Sequence, residues 1–455
     1  MADQRDIDRW KKGKDHWNKW AEGRLKAKEK LKKEGKWEVD FYGSGLNEET
    51  KNWISKASVD FSRHRFDTLT SFADFIFPSV ADFNGAYFRK DAAFSSAIFF
   101  GKVGFEGASF NNEASFTKVS AHANATFDEA TFHGFVYFSK AKFRQGATFF
   151  YTNFENSTFF DFVEFFDEII FRYAMFSAPA DFESATFDGQ AFFNLASFTK
   201  GAEFSGATFH RLANFNQATF DAGTNFAVSR FLGAATFSFA ASSGPLSFEA
   251  ASFYEVPDFI QMSFHFPARL DDLYVVEAHP FLLSGDADRA ARYRALKKIA
   301  VESYDHVREQ SYFASEARER RGNDDPVGSP NWLFSIFYEL LSDFGRSIAR
   351  PIGWWLISLL LFAAVTGTNV SAKTRSVCNW QSDWLLPEIY LSFLHSLPIV
   401  GFGRGEKRNQ ALTCLFGDTA NVSPGMDMLF ILQNIWSAIL IFLFLLAVRN
   451  HFRIK

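Results

Sequence analysis

From Phe61 onward, phenylalanine returns at steps of five and six residues in alternation: Phe61, Phe66, Phe72, Phe77, Phe83, Phe88, Phe94, Phe99, and on to Phe264. The repeating unit is therefore eleven residues. Nineteen units give 38 marked positions, and only Ala121 and Ser242 among them are not phenylalanine. Two residues before most marked positions sits a small side chain, as at Ala81, Ala86, Ala92, Ala97 and Ala108. Phe204 to Phe215 shows the unit whole: F-x-x-A-x-F-x-x-x-A-x-F.

A helix cannot carry this pattern, because steps of five and six at 3.6 residues per turn scatter the rings over several faces. A continuous strand fails too, since odd and even steps alternate between its two faces. The pattern fits a chain that turns a corner after every five or six residues and sends one large and one small group inward from each side. Four sides make a coil of 22 residues, and stacked coils sit about 4.8 Å apart. Nine to ten coils then predict a β-solenoid roughly 45 Å long. Composition agrees: phenylalanine fills 60 of 455 positions while Tyr and Trp stay at 12 and 11, the mark of a repeated slot that wants one shape. So aromatic a chain is not disordered. Two cysteines exclude a disulfide scaffold, and a net charge of −4 leaves no global nucleic-acid footprint.

The A-x-F-x-x sides resemble the pentapeptide-repeat proteins over residues 59–267. The resemblance implies a right-handed quadrilateral β-helix, with one departure: the extra residue on alternate sides departs from a strictly square section. The later half resembles bacterial membrane-anchored pentapeptide-repeat proteins. That likeness rests on His16-Trp17-Asn18-Lys19-Trp20, on Arg292 to Leu296, on Tyr338 to Arg346, and on Leu446 to Arg453. It implies a fold and a location and no reaction.

Residues 1–58 carry 15 basic and 11 acidic groups and are expected to form a basic helical cap. Glu22 to Lys33 reads as an exposed helix. Trp17 and Trp20, interleaved with basic residues, suit either a cover for the open end of the rod or a contact with RNA or a membrane surface; the cover is preferred, because solenoid ends need one. Over 268–330 the period changes. Ala287, Ala290, Tyr293, Leu296, Ile299 and Ala300 recur at helical steps, predicting one long amphipathic helix over 286–321. Asp286 and Asp288 at its start and Arg318, Arg320 and Arg321 at its end complement the helix dipole. His306 and Glu309 lie one turn apart, but a lone pair is expected to be solvated rather than half a metal site.

Residues 331–455 hold two apolar stretches, about 351–370 and 427–448, long enough for a two-helix transmembrane region. Arg346 and Arg350 precede the first, and Arg449, Arg453 and Lys455 follow the second. By the positive-inside rule both termini lie in the cytoplasm, and no apolar leader precedes the rod. Bacterial inner-membrane residence is expected. Cys378 and Cys414 both fall between the stretches; outside the cell they would pair, and otherwise they are two free thiols. Ser392 to Gly403 is similar to the re-entrant pore of two-span cation channels, with Pro398, Val400, Gly401, Phe402, Gly403 and Arg404 as its candidate loop. Pro398 and Ile399 replace the threonines of that pattern, and Arg404 stands where an acidic residue would.

No phosphate loop, paired-cysteine metal spacing or nucleophile elbow occurs. Neither an enzyme, a cofactor nor a metal is expected. Residues 59–267 carry 22 acidic and 13 basic groups. Glu155, Asp161, Glu164, Asp167, Glu168, Asp181, Glu183 and Asp188 are expected to form an acidic interaction face. Some pentapeptide-repeat proteins imitate DNA and bind DNA gyrase by such a face, which the membrane anchor disfavours here. The sequence thus predicts a non-catalytic scaffold held in a lipid bilayer, with an unknown protein partner and no direct nucleic-acid binding. A homo-oligomeric channel with the rod as sensor is the alternative.

Overall fold

In the computed structural model of the chain, residues 2–38, 45–369, 386–397, 406–417 and 422–452 are described. They divide into two compact units, Met1–Glu277 with Ala291–Tyr304, and Ala278–Ala290 with Asp305–Lys455.

The first unit is a β-solenoid of about ten coils, built from strands of two residues each. Val59 pairs with Ala81, Phe66 with Phe88, Thr70 with Ala92 and Phe77 with Phe99, all parallel, with the same offset as from 59 to 81. Four sheets result. Sheet A runs from Val59–Asp60 to Ala235–Thr236, and sheet B from Arg65–Phe66 to Ser263–Phe264. Sheet C runs from Thr70–Ser71 to Leu246–Ser247, and sheet D from Ile76–Phe77 to Tyr274–Val275. The last strand lies beyond residue 267, where phenylalanine stops marking the coil. Leu270, Leu273 and Val275 are buried in that final stretch instead, so tracking one residue type ends the rod too early.

The alternation of five and six is a property of the corners. A–B and C–D corners are tight, and each places one residue in the left-handed region: Arg63, Glu129 and Tyr151 on one, Asp74, Lys118 and Phe162 on the other. Most of these residues are not glycine, at a steric cost of about 1 kcal/mol each. Hydrogen bonds compensate. Ala86 N–H closes one such turn on Phe83 C=O at 3.0 Å, while the left-handed Glu129 donates to Phe150 C=O in the next coil at 2.8 Å. B–C and D–A corners take the extra residue with no positive φ except at glycine. Some of those corners run so close to the preceding coil that a side chain will not fit; a Cβ on Gly189 would lie 2.2 Å from the Asp167 carbonyl carbon.

Inside, each ring stacks on its counterpart one coil away, as Phe182 on Phe204 at 4.8 Å and 3° and Phe187 on Phe209 at 4.5 Å and 1°. Across the rod the contact is edge-to-face, Phe182 meeting Phe193 at 5.5 Å and 89°. The ladder spacing of the sheets fixes the first distance, and the ring quadrupole favours the second geometry. Alanines fill what the rings leave, and Ala92, Ala114, Ala180 and Ala202 are all buried.

Both ends of the rod are covered. Three helices precede it: α1 (Gln4–Lys11), α2 (Lys14–Lys33) and α3 (Glu48–Ala57). Trp17 is wholly buried against Phe61, Phe75 and Phe77 and donates Nε1–H to Ile76 C=O at 2.8 Å. Trp20 is edge-on to Trp17, under the Arg9 guanidinium. Trp10 also meets the first coil, stacking on Phe72 and donating to Ser71 C=O at 3.0 Å. At the far end α4 (Ala287–Glu302) buries Tyr293 and Leu296; Tyr293 Oη donates to Val276 C=O at 2.7 Å and Arg292 to Val256 C=O at 3.1 Å.

The predicted long helix is two. Tyr304 takes a φ of 57° and Asp305 caps α5 (His306–Glu319), accepting the Arg308 N–H at 3.0 Å. An Asp whose carboxylate accepts a backbone N–H starts a helix better than it continues one. The second unit continues with α6 (Pro330–Ser342), α7 (Ala349–Thr368), α8 (Pro387–His395), α9 (Glu406–Phe416) and α10 (Pro424–Phe452). Helices α7 and α10 are long and apolar enough to cross a membrane.

Candidate functional sites

A coil that turns every five or six residues wraps a sequence run around the rod, and this disperses the eight predicted carboxylates. Glu155 stands at the B–C corner, 2.8 Å from His133 Nδ1. Glu164 on sheet D pairs with Lys142 at 2.7 Å. Asp167, Glu168 and Asp188 belong to the D–A corner, where Asp188 meets His210 at 3.0 Å. Asp161, Asp181 and Glu183 share another surface, on sheet C and its edge toward D. Glu203 joins them one coil later, in the strand that pairs with that of Asp181. Asp181 is partly buried, and this burial, with the charges of Asp161, Glu183 and Glu203, holds its carboxyl above the usual aspartate range, although the Glu183 N–H bond opposes the shift. The expected single acidic face is therefore divided among separate surfaces, and the sheet C group of four includes Glu203, legible only once the 22-residue coil is applied.

In the second unit the apolar helices enclose polar groups. Ser392 on α8 donates its hydroxyl to Leu359 C=O of α7 at 2.8 Å. Gln433 of α10 donates to Ser392 C=O at 2.8 Å and to its hydroxyl at 2.6 Å. His395 stacks on Phe430 at 4.3 Å. Leu391, Leu412, Leu415, Met426 and Phe430 form one buried cluster from α8, α9 and α10. The short helix α8 is thus held between the two long ones by buried hydrogen bonds. Pro398, Val400, Gly401, Phe402, Gly403 and Arg404 lie outside the described residues, as does Cys378. Cys414, on α9, is disulfide-bonded.

A third constellation was not legible in the sequence. Arg318 and Arg321, expected to complement the dipole at the end of one long helix, are buried in an ion network. Arg318 Nε donates to Glu339 Oε1 and Arg321 Nη1 to Glu339 Oε2, both at 2.7 Å. Arg318 Nη2 reaches Asp343 at 2.8 Å, and Arg321 also donates to Leu282 C=O and Ser335 Oγ. Both guanidinium carbons lie 5.6 Å from the Phe344 ring. Burial alone would raise the Glu339 carboxyl, but the hydrogen bonds from Arg321, Phe281 N–H and Arg318 outweigh it and hold the group below the usual glutamate range. Arg350, at the start of α7, donates to Glu339 C=O at 2.9 Å. Glu339 thus ties α6 to Arg318 of α5 through its carboxylate and to the first turn of α7 through its backbone C=O. The signal was present: Glu339 is the one charged residue of Pro330–Ser342. His306 and Glu309 meet at 3.0 Å, and no group of three or more metal-ligating side chains occurs among the described residues.

The described residues thus form a parallel four-sided solenoid with an aromatic interior, closed by helices and followed in the chain by two apolar helices. The repeats that build it match the family model for pentapeptide repeats (9 copies) at residues 171–219 and 182–229. Over the matched residues the β-solenoid is built of pentapeptide repeats. No curated protein and no solved structure matches the chain.

Proposed function

We propose that this protein is a non-catalytic interaction scaffold whose pentapeptide-repeat rod is anchored in the bacterial inner membrane by α7 and α10, with both termini in the cytoplasm. The observation that carries the reading is the outward side of those helices. Leu356, Leu360 and Leu361 on α7 and Ile431, Ile435 and Phe442 on α10 are all about half exposed or more, an apolar belt that water disfavours and hydrocarbon accepts. Cys414 would find its partner in Cys378 in the oxidising compartment across the membrane. The rod offers flat, solvated faces, and the group of Asp161, Asp181, Glu183 and Glu203 suits a basic protein partner. Photo-crosslinkers placed at Asp161 and Glu183 in intact cells test this. A discrete crosslinked protein with a basic surface is expected, and its absence at both positions contradicts the scaffold.

The hydrogen-bonded seat of α8 favours a second reading, an oligomeric pore. Polar helices are tolerated at membrane depth where protein or water satisfies them. Single-channel recording from reconstituted oligomers decides it: unitary conductance supports the pore and silent bilayers exclude it.

A further inference from the structure

The outward positions of sheet A are polar or glycine in every coil except two, where Ile170 and Phe192 stand side by side in paired strands. Phe150 adjoins them, and Tyr151 and Tyr173 stack at 4.6 Å on the neighbouring corner. Together with Asp128, Thr148, Glu168 and Arg172, the three apolar residues line a groove of about 350 Å³. Arg172 and Glu168 are exposed and flank the strand Ile169–Ile170 from opposite sides. Neither makes an ion pair with another described residue.

From this arrangement we infer that sheet A is the interface with a second copy of this chain, packed with its rod parallel to the first. A two-fold axis parallel to the rod exchanges the two margins of the sheet while keeping height along the rod. It therefore sets Arg172 of each copy against Glu168 of the other, twice, in the same coil. Ile170 and Phe192 fall on the axis and meet their own counterparts. A patch with an apolar centre, aromatic neighbours and opposite charges on its two margins is self-complementary in this one sense. An unrelated partner would have no reason to match both margins at one height. The antiparallel arrangement is excluded by the same logic, because an axis across the rod brings Arg172 against Arg172.

The inference is independent of what the anchored rod recruits. The test uses the full-length chain in isolated membranes. Ile170→Cys, treated with a short bis-maleimide, is expected to yield a crosslinked homodimer, whereas Glu203→Cys, on the opposite sheet, yields none. Arg172→Glu is expected to lower the dimer yield of Ile170→Cys by about tenfold or more, because like charges then face each other. Adding Glu168→Arg should restore it, since the pair is merely exchanged. Thermal unfolding of each variant at the parent temperature shows that the rod is intact. Equal crosslinking at both cysteine positions, no homodimer at Ile170→Cys, capture of a different protein there, or no rescue by the double exchange overturns the proposal.

Discussion

Phe182 makes ring contacts that run up, down and across the rod. Phe182→Ala should cost about 3–5 kcal/mol, because the coils above and below are held apart by their own hydrogen-bonded ladders and cannot collapse into the space. Urea unfolding measures it. Ala121 is the converse case. It is buried at a marked position between Phe99 and Phe143, its ladder neighbours, so Ala121→Phe should complete the ring stack and raise the unfolding temperature. Positions such as these were readable directly from the sequence, since one residue type in one slot leaves nothing to infer about packing. Glu339 was not readable, because its partners Arg318 and Arg321 lie more than a dozen residues away. Glu339→Gln removes the carboxylate shared by two buried guanidiniums, leaving Asp343 to balance Arg318, and should destabilise the second unit by about 3–5 kcal/mol. The pH dependence has a definite sign. A carboxyl depressed on folding contributes stability that is full above its unfolded value, near 4.5, and is lost as pH falls through the lower folded value. Acid unfolding of the second unit followed by hydrogen exchange should therefore begin below about pH 4.5 and flatten in Glu339→Gln.

At the scale of elements, the strands and corners followed from period alone, whereas the helices depended on contacts that spacing does not encode. The break at Tyr304 and Asp305 shows why. Apolar periodicity runs on through 286–321, and a capping carboxylate decides where one helix ends and the next begins. Trp10 shows the same gap, for it reaches the rod's first coil although nothing adjacent to it in sequence repeats. The cap itself is open to a direct test. Trp17 is fully buried on the end of the Phe ladder, and Trp17→Ala should cost about 3–5 kcal/mol. Removing it uncovers Phe61 and Phe77, so end-to-end association should appear with the loss of stability. Light scattering reports both, and a monodisperse, equally stable variant would show that the cap does not protect the end.

For the whole molecule, the repeat accounts for architecture, the proposed membrane placement rests on two helices long and apolar enough to cross a bilayer, and the acidic residues do not follow their order in the sequence. Eight carboxylates close in sequence fall on separate faces of the rod, and the sheet C group gains Glu203 from the next coil. Chemistry is expected on outer faces, because the interior is filled with rings at van der Waals distance. The central claim is that α7 and α10 hold this rod in a membrane. Membranes bearing the full-length chain, washed at high alkaline pH and floated on a density gradient, test it most directly. The account predicts that the chain floats with the lipid after the wash and enters the soluble fraction when Leu356, Leu360, Ile435 and Phe442 are together replaced by Asp. Release of the unaltered chain into the wash would contradict it.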